Sequence, residues 1–245
     1  MISKNPILIN NAIKKHEYRE QLLSSGSYGI VYVLTFIDDS QVIMKIQNKI
    51  ISKHINQEIA ILKLIKKFCN KFFVCYITDG EYDKEHIYII FDYESSFKIS
   101  DDSSIIINSD IIENLYEGLF MMHKLNIVHN DIKPKIFLIN PDTNKIKYLD
   151  FGLSCSQTDC SPFGTKKYMN PDKKLKFDNK IKNYHILDGI LADHFALNVT
   201  IMELLENADV EIEFPSDIDK YNNNLKKLQI LYPMCPFNEN DYIIK

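Results

Sequence analysis

Arginine is almost missing from this chain: of its 29 basic residues, only Arg19 is not lysine. Isoleucine and asparagine are plentiful beside the lysines, the skew of an AT-rich coding sequence, so an isolated Lys or Asn carries little weight by itself. No apolar run approaches the roughly 18 residues that span a bilayer. No internal repeat or low-complexity linker divides the chain. The five cysteines (Cys69, Cys75, Cys155, Cys160 and Cys235) form no C-x-x-C pair and are odd in number, which reads as free thiols in a reducing compartment. Residues Met1 to Asn11 lack a charged segment followed by a long apolar one, so no secretory signal is expected. A net charge of −4 gives no general reason to bind nucleic acid or an anionic membrane. The pair Lys173-Lys174 reads as solvated surface. These absences point to an intracellular, cytoplasmic protein with neither nucleic acid nor membrane as partner.

The 245 residues, 45% apolar and 25% charged, suffice for one large domain or a two-lobed unit with a sizeable core. Tyr18 to Leu23 and Ile30 to Phe36 read as strands around a glycine turn at Ser24 to Gly29, and Gln41 to Gln47 as a third strand. Asn56 to Lys67 reads as a helix with Ile55, Ile59, Leu62 and Ile65 along one face. Phe72 to Thr78 and His86 to Tyr93 are strand-like, joined by a polar turn at Asp79 to Glu85. Ser109 to Lys124 and Asp193 to Glu206 carry helical apolar faces, and Phe137 to Ile139 with Ile146 to Leu149 reads as a short hairpin. A β-rich first part with one helix thus precedes a mostly helical remainder, divided near Glu94 to Asp101. Beyond Asn207 short helices are expected.

Several motifs stand in a fixed order. Leu23-Ser24-Ser25-Gly26-Ser27-Tyr28-Gly29-Ile30-Val31 resembles a glycine-rich loop G-x-G-x-x-G-x-V, in which backbone N–H groups approach phosphate oxygens closely. Lys45 ends Val42-Ile43-Met44-Lys45, similar to V-A-I-K, and Glu58 lies on the helix that follows. His129-Asn130-Asp131-Ile132-Lys133-Pro134 precedes Asp150-Phe151-Gly152 across the hairpin, with 19 residues from Asp131 to Asp150. Gly164-Thr165-Lys166-Lys167-Tyr168-Met169-Asn170-Pro171-Asp172 resembles G-T-x-x-Y-M-x-P-E, and Asp193 to Leu197 resembles D-x-W-A-L. From Leu23 to about Leu205 the chain resembles the Ser/Thr branch of the eukaryotic-type protein kinase superfamily.

That resemblance implies an α+β bilobal fold, with an N-lobe over 1–94 and a C-lobe over 95–245 whose C-terminal tail is short. It implies ATP and Mg²⁺ as cofactors and a protein substrate bearing Ser or Thr hydroxyls. Asp131 would be the catalytic base, Lys133 would stabilise the transferring phosphate, and Thr165 would bond to both. The segment Leu23 to Val31, Lys45 paired with Glu58, and Asp92 and Tyr93 would hold the nucleotide. Phe91 would be the gatekeeper and Asp150 the metal ligand. His129 would pack beneath the turn rather than move protons.

The chain departs from the family at several positions. Ile136 replaces the Asn that ligates Mg²⁺, and an apolar side chain cannot serve a cation that takes oxygen ligands. Asn130 replaces the arginine that reads a phosphorylated loop, Ser24 and Asn198 replace glycines, and no arginine follows Asp172 to pair with it. Cys155 and Cys160 flank the activation loop, where two free thiols are expected rather than a redox switch. Two activities stay open: an ATP-dependent Ser/Thr protein kinase, and a pseudokinase that binds ATP or a partner as scaffold or allosteric regulator. Small-molecule kinases come third, since they lack counterparts of Lys133 and of Gly164 to Asp172. The oligomeric state is not readable.

Overall fold

The computed structural model describes residues 2–26, 29–102, 104–156, 160–181, 184–206 and 218–232, without the side chains of 51–53 and 218. The chain divides into two compact units, Met1–Asn70 with Val74–Ser95, and Lys71–Phe73 with Ser96–Lys245.

The first unit opens with α1 (Pro6–Lys15), which the sequence pattern did not reveal. Its start is nonetheless written locally. Asn5 accepts hydrogen bonds from the Ile7 and Leu8 amides, and Pro6 takes the first helical position, where no N–H is needed. Strands β1 (Tyr18–Gly26), β2 (Gly29–Phe36) and β3 (Gln41–Asn48) lead to α2 (Ser52–Ile65), and then to β4 (Tyr76–Glu81) and β5 (His86–Asp92). They form an antiparallel sheet in the order β1-β2-β3-β5-β4. Alternation along β3 sends Val42, Met44 and Ile46 to one face, where they pack with Leu34, Phe36, Tyr88 and Ile90 against Ile9, Ala12 and Ile13 of α1. On α2 the stripe Ile55, Ile59, Leu62 and Ile65 is buried as expected.

The strand expected from Phe72 starts instead at Tyr76 and runs through the residues read as a turn, Asp79 to Glu81. The aromatics explain the shift. Phe72 and Phe73 are buried in the second unit, where the Phe72 carbonyl accepts the Tyr148 amide at 2.8 Å. β4 lies at the sheet edge, where polar side chains are tolerated.

The second unit contains β6 (Lys98–Ile99), α3 (Ser109–Lys124), β7 (Ile127–Val128), β8 (Phe137–Ile139), β9 (Ile146–Tyr148), β10 (Cys155–Ser156), α4 (Pro171–Asp178), α5 (Ile186–Glu206) and α6 (Ile218–Leu231). α5 begins seven residues before the expected Asp193 and is buried on nearly every side, which blurs its period. Asn198, one of the residues that breaks the family pattern, is buried here. It accepts from the Tyr116 hydroxyl on α3 and donates to the Tyr221 hydroxyl on α6 at 2.9 Å. The missing glycine has become a polar tie between three helices.

The free-thiol expectation is overturned for four of the five cysteines. Cys69 pairs with Cys75, and Cys155 with Cys160, their Cα atoms 4.7 and 5.2 Å apart. That is within disulfide reach. The cysteines therefore no longer argue for a reducing compartment. Among the described residues, no helix is long and apolar enough to cross a membrane.

Alkylation of the native protein should leave the Cys69, Cys75, Cys155 and Cys160 peptides unlabelled until a reductant is added; full labelling without reductant would contradict the pairing. Asn198→Gly should lower stability by about 1–3 kcal/mol through the two lost hydrogen bonds, with about 1 kcal/mol more for glycine within a helix. Urea unfolding reads this as a shifted midpoint, and an unchanged midpoint would count against the tie.

Candidate active site

The loop after β7 is shaped by one carboxylate. Asp193 of α5 is fully buried, and its oxygens accept the backbone N–H of His129 at 2.6 Å, that of Asn130 at 2.9 Å, and His123 Nε2 at 3.2 Å. Burial alone would raise this carboxyl. Hydrogen bonding from His123 and the charges of His123 and Lys173 outweigh that and hold it below the usual carboxylate range. His129 sits under the loop against Tyr148 and Phe151. Its Nε2 meets the Leu149 carbonyl at 2.9 Å and its Nδ1 accepts the Asp131 amide at 3.3 Å. Those partners assign the neutral Nε2–H tautomer, which makes His129 a brace.

Asn130 adopts the left-handed conformation, φ 70°, which asparagine tolerates well. Its Nδ2 donates to the Leu153 carbonyl at 3.1 Å and to Cys155 Sγ at 3.4 Å. Ser154 Oγ donates to the His129 carbonyl at 3.2 Å, and β10 pairs with β7. The turn Asp150-Phe151-Gly152 is thereby stitched to the loop, with Asp150 left-handed at φ 56° and Phe151 buried.

Asp131, Lys133 and Thr165 converge. Thr165 donates both its amide and its hydroxyl to Asp131 Oδ1, each at 2.7 Å, while Lys133 Nζ donates to Asp131 Oδ2 at 2.5 Å and to Thr165 Oγ1 at 3.1 Å. Gly164 makes the approach possible. At φ 141° it lies so close to the Asn130 carbonyl that a Cβ would collide with it. A carboxylate offers about four acceptor positions and an ammonium three donors. One acceptor on Oδ2 and one donor on Lys133 therefore remain for a reacting group.

The expectation that Lys173 is solvated surface fails: the residue is 3% exposed. Asp172 does find a cation, since Lys176 bridges it at 2.9 Å to Asp188 at 2.7 Å. Ile136 is 1% exposed, so its side chain belongs to the apolar interior. Asn140 caps the hairpin turn through the amides of Asp142 and Thr143 and cannot replace the missing Asn. Among the described residues, no group of three or more His, Cys, Asp or Glu side chains is placed to hold a metal ion. Asp150 alone among the expected ligands offers a carboxylate. That donor set fits one Mg²⁺ whose other ligands are water and phosphate oxygens.

In the first unit, Lys45 Nζ meets Glu58 Oε1 at 2.8 Å, with both side chains nearly buried. Gln47, which the sequence reading missed, donates to Glu58 Oε2 at 3.1 Å. It lies two residues from Lys45 on the same strand face, and that spacing could have revealed it. Of the glycine turn, Leu23, Ser24, Ser25, Gly26 and Ile30 are exposed and Val31 is half-buried, while Ser27 and Tyr28 lie outside the described residues. Gly29, at φ 125°, presses on the Ile46 carbonyl, so a side chain would not fit. Gly26 has open space around it. Phe91 is buried in β5, and Asp92 and Tyr93 follow half-buried, with the Asp92 amide bonded to the Cys75 carbonyl at 2.9 Å.

Asp193→Asn should cost about 3–5 kcal/mol, because an amide cannot accept all three of these donors or balance the nearby charge. Since the folded carboxyl titrates below its unfolded value, this stability is present above the ordinary carboxylate range and lost as pH falls through the folded value. Unfolding measured against pH should show that acid loss in the parent and lack it in the variant; equal acid limbs would contradict the assignment.

The protein kinase domain model matches residues 18–242. Serine/threonine-protein kinase pakG of Dictyostelium discoideum is 29% identical over 203 residues, 76% of this chain and 16% of that protein. Serine/threonine-protein kinase pakF of the same organism is 28% identical over 214 residues, 80% of this chain and 17% of that protein. Eukaryotic translation initiation factor 2-alpha kinase 1 of Mus musculus is 31% identical over 122 residues, 42% of this chain and 18% of that protein. The chain spans about a sixth of the length of these relatives. With the domain model matched over nearly its whole length, on two units that carry the ordered motifs, the chain belongs to the protein kinase domain family.

Proposed function

We propose that this chain is an ATP-dependent Ser/Thr protein kinase that transfers the γ-phosphate to protein hydroxyls. The observation that carries the reading is the closed set Asp131, Lys133 and Thr165, with one acceptor and one donor left over. Asp131 would take the hydrogen bond of the substrate hydroxyl on its free Oδ2 position and receive the proton as the oxygen attacks. Lys133 would meet the transferring phosphoryl group with its third N–H. Lys45, fixed by Glu58, would hold the nucleotide phosphates beneath the glycine turn of Leu23 to Val31, and Asp92 and Tyr93 would meet the base. Asp150 would hold Mg²⁺, which neutralises phosphate charge when bound.

The buried Ile136 favours a second reading, a pseudokinase that binds nucleotide or a partner without turnover. Asp131 and Lys133 are arranged for transfer, and a single carboxylate suffices for a cation that retains its waters, so we rank the active enzyme first.

Labelled ATP and a Ser/Thr acceptor should give transfer by the parent. Asp131→Ala should reduce it by at least about 100-fold, and Thr165→Val by about 10- to 100-fold through two bonds to charged groups. Transfer indifferent to Asp131→Ala would sink the mechanism. Silence in the parent with transfer by Ile136→Asn would establish the pseudokinase.

A further inference from the structure

We propose that Lys173 is a positioning residue for this reaction: its buried ammonium clamps Asn130, and through it the neighbouring Asp131, in place of an arginine that reads phosphate. The inference rests on the role of Asp131 given above.

Lys173 stands in a lysine-rich helix, yet it behaves unlike its neighbours. Lys174 is exposed, and Lys176 is taken up by Asp172 and Asp188. The Lys173 side chain turns inward and donates to the Asn130 carbonyl at 2.7 Å and to Asn130 Oδ1 at 3.2 Å, its Nζ 6.0 Å from the centre of the Tyr184 ring. Among the described residues it makes no ion pair. Its direct oxygen partners are neutral, and Asp193 and Asp131 act on it from further away.

Burying an ammonium among neutral acceptors is costly. Burial pushes the Lys173 amine down to about 8, even though the charges of Asp193 and Asp131 pull it upward. General stability would be served as well by an apolar side chain. What the ammonium adds is a fixed anchor on one residue.

That residue is a hub. Asn130 uses its amide on Asp193, its Nδ2 on Leu153 and Cys155, and both its oxygens on Lys173. The carbonyl held by Lys173 is also the one against which Gly164 is pressed, and a Cβ on Gly164 would come within 3.4 Å of Lys173 Nζ. Thr165, the next residue, grips Asp131 twice. The ammonium thus lies where the catalytic loop, the turn after Asp150 and the Gly164-Thr165 segment meet. A cation built into the fold at this point leaves no task for a phosphate. Ser154, a hydroxyl of this turn, is itself buried and bonded to the His129 carbonyl.

The test is Asp131-dependent transfer by the parent and by Lys173→Met, from about pH 6.5 to about pH 9.5. The parent should lose kcat above about pH 8 through one ionisation. The groups facing Lys173 are Asp131, Asp193 and Tyr184, with His123 and His129 around Asp193. Lys173→Met should lower kcat by about ten-fold or more, the loss expected for a hydrogen bond from a charged donor. It should leave KM for ATP within about two-fold and lack the alkaline limb, because the titrating group is gone. Parental kcat in the variant, or the same alkaline limb, would overturn the proposal. If Lys173→Met does not fold, Asn130→Gly keeps the left-handed backbone and the carbonyl half of the clamp, and removes the Oδ1 half together with the Nδ2 bonds to Leu153 and Cys155; it should lower kcat, and parental kcat would again overturn the proposal. If neither the parent nor Ile136→Asn transfers phosphate through Asp131, the kinase reading fails by itself. Hydrogen exchange then decides the clamp. Peptides over 127–135 should exchange at least about ten-fold faster in Lys173→Met while those of α3 and α5 do not, and unchanged loop exchange would reject it.

Discussion

The loop that carries Asp131 hangs from the buried carboxylate of Asp193. An isolated charge at such depth would be prohibitive. It persists because two backbone amides and His123 satisfy it and because it lies among cationic neighbours. In return it fixes the backbone of His129 and Asn130, and the next residue, Asp131, inherits that orientation. Thr165 and Lys133 can then close on Asp131, since their partner already points one way. His129 spends both ring nitrogens on holding the same loop.

Seen from this anchor, the residues that depart from the family pattern separate by physical role. Asn198 is a buried hydrogen-bonded tie between three helices. Asn130 gives up arginine's charge and gains a left-handed backbone and four engaged polar atoms. Ser24 sits exposed on its strand beside a register shift. Ile136 differs from these, because it removes an oxygen donor and offers only apolar packing in its place. It is the substitution that bears on the chemistry.

Much of this was legible in the chain because the signals are local. A glycine turn between strands, a lysine at strand spacing and carboxylates at loop positions need only neighbouring residues to be read. Lys45 and Glu58 come together as their positions on a strand and the following helix suggested. What stayed hidden depends on distant packing. Lys173 looks like any other residue of a lysine-rich helix until α4 is laid against the loop. The disulfides join cysteines six and five residues apart, spacings without the C-x-x-C pattern that would announce them. The start of α1 is a different case, for Asn5 and Pro6 announce it and only the weakness of a short helix's pattern concealed it.

The most direct measurement is a single-turnover reaction with excess protein over labelled ATP, in which ADP is quantified and the phosphorylated residue identified by mass spectrometry. Asp131 acting on a substrate hydroxyl predicts phosphate on Ser or Thr in one-to-one ratio with ADP, and none in Asp131→Asn. Bound ATP recovered intact from the parent would contradict it.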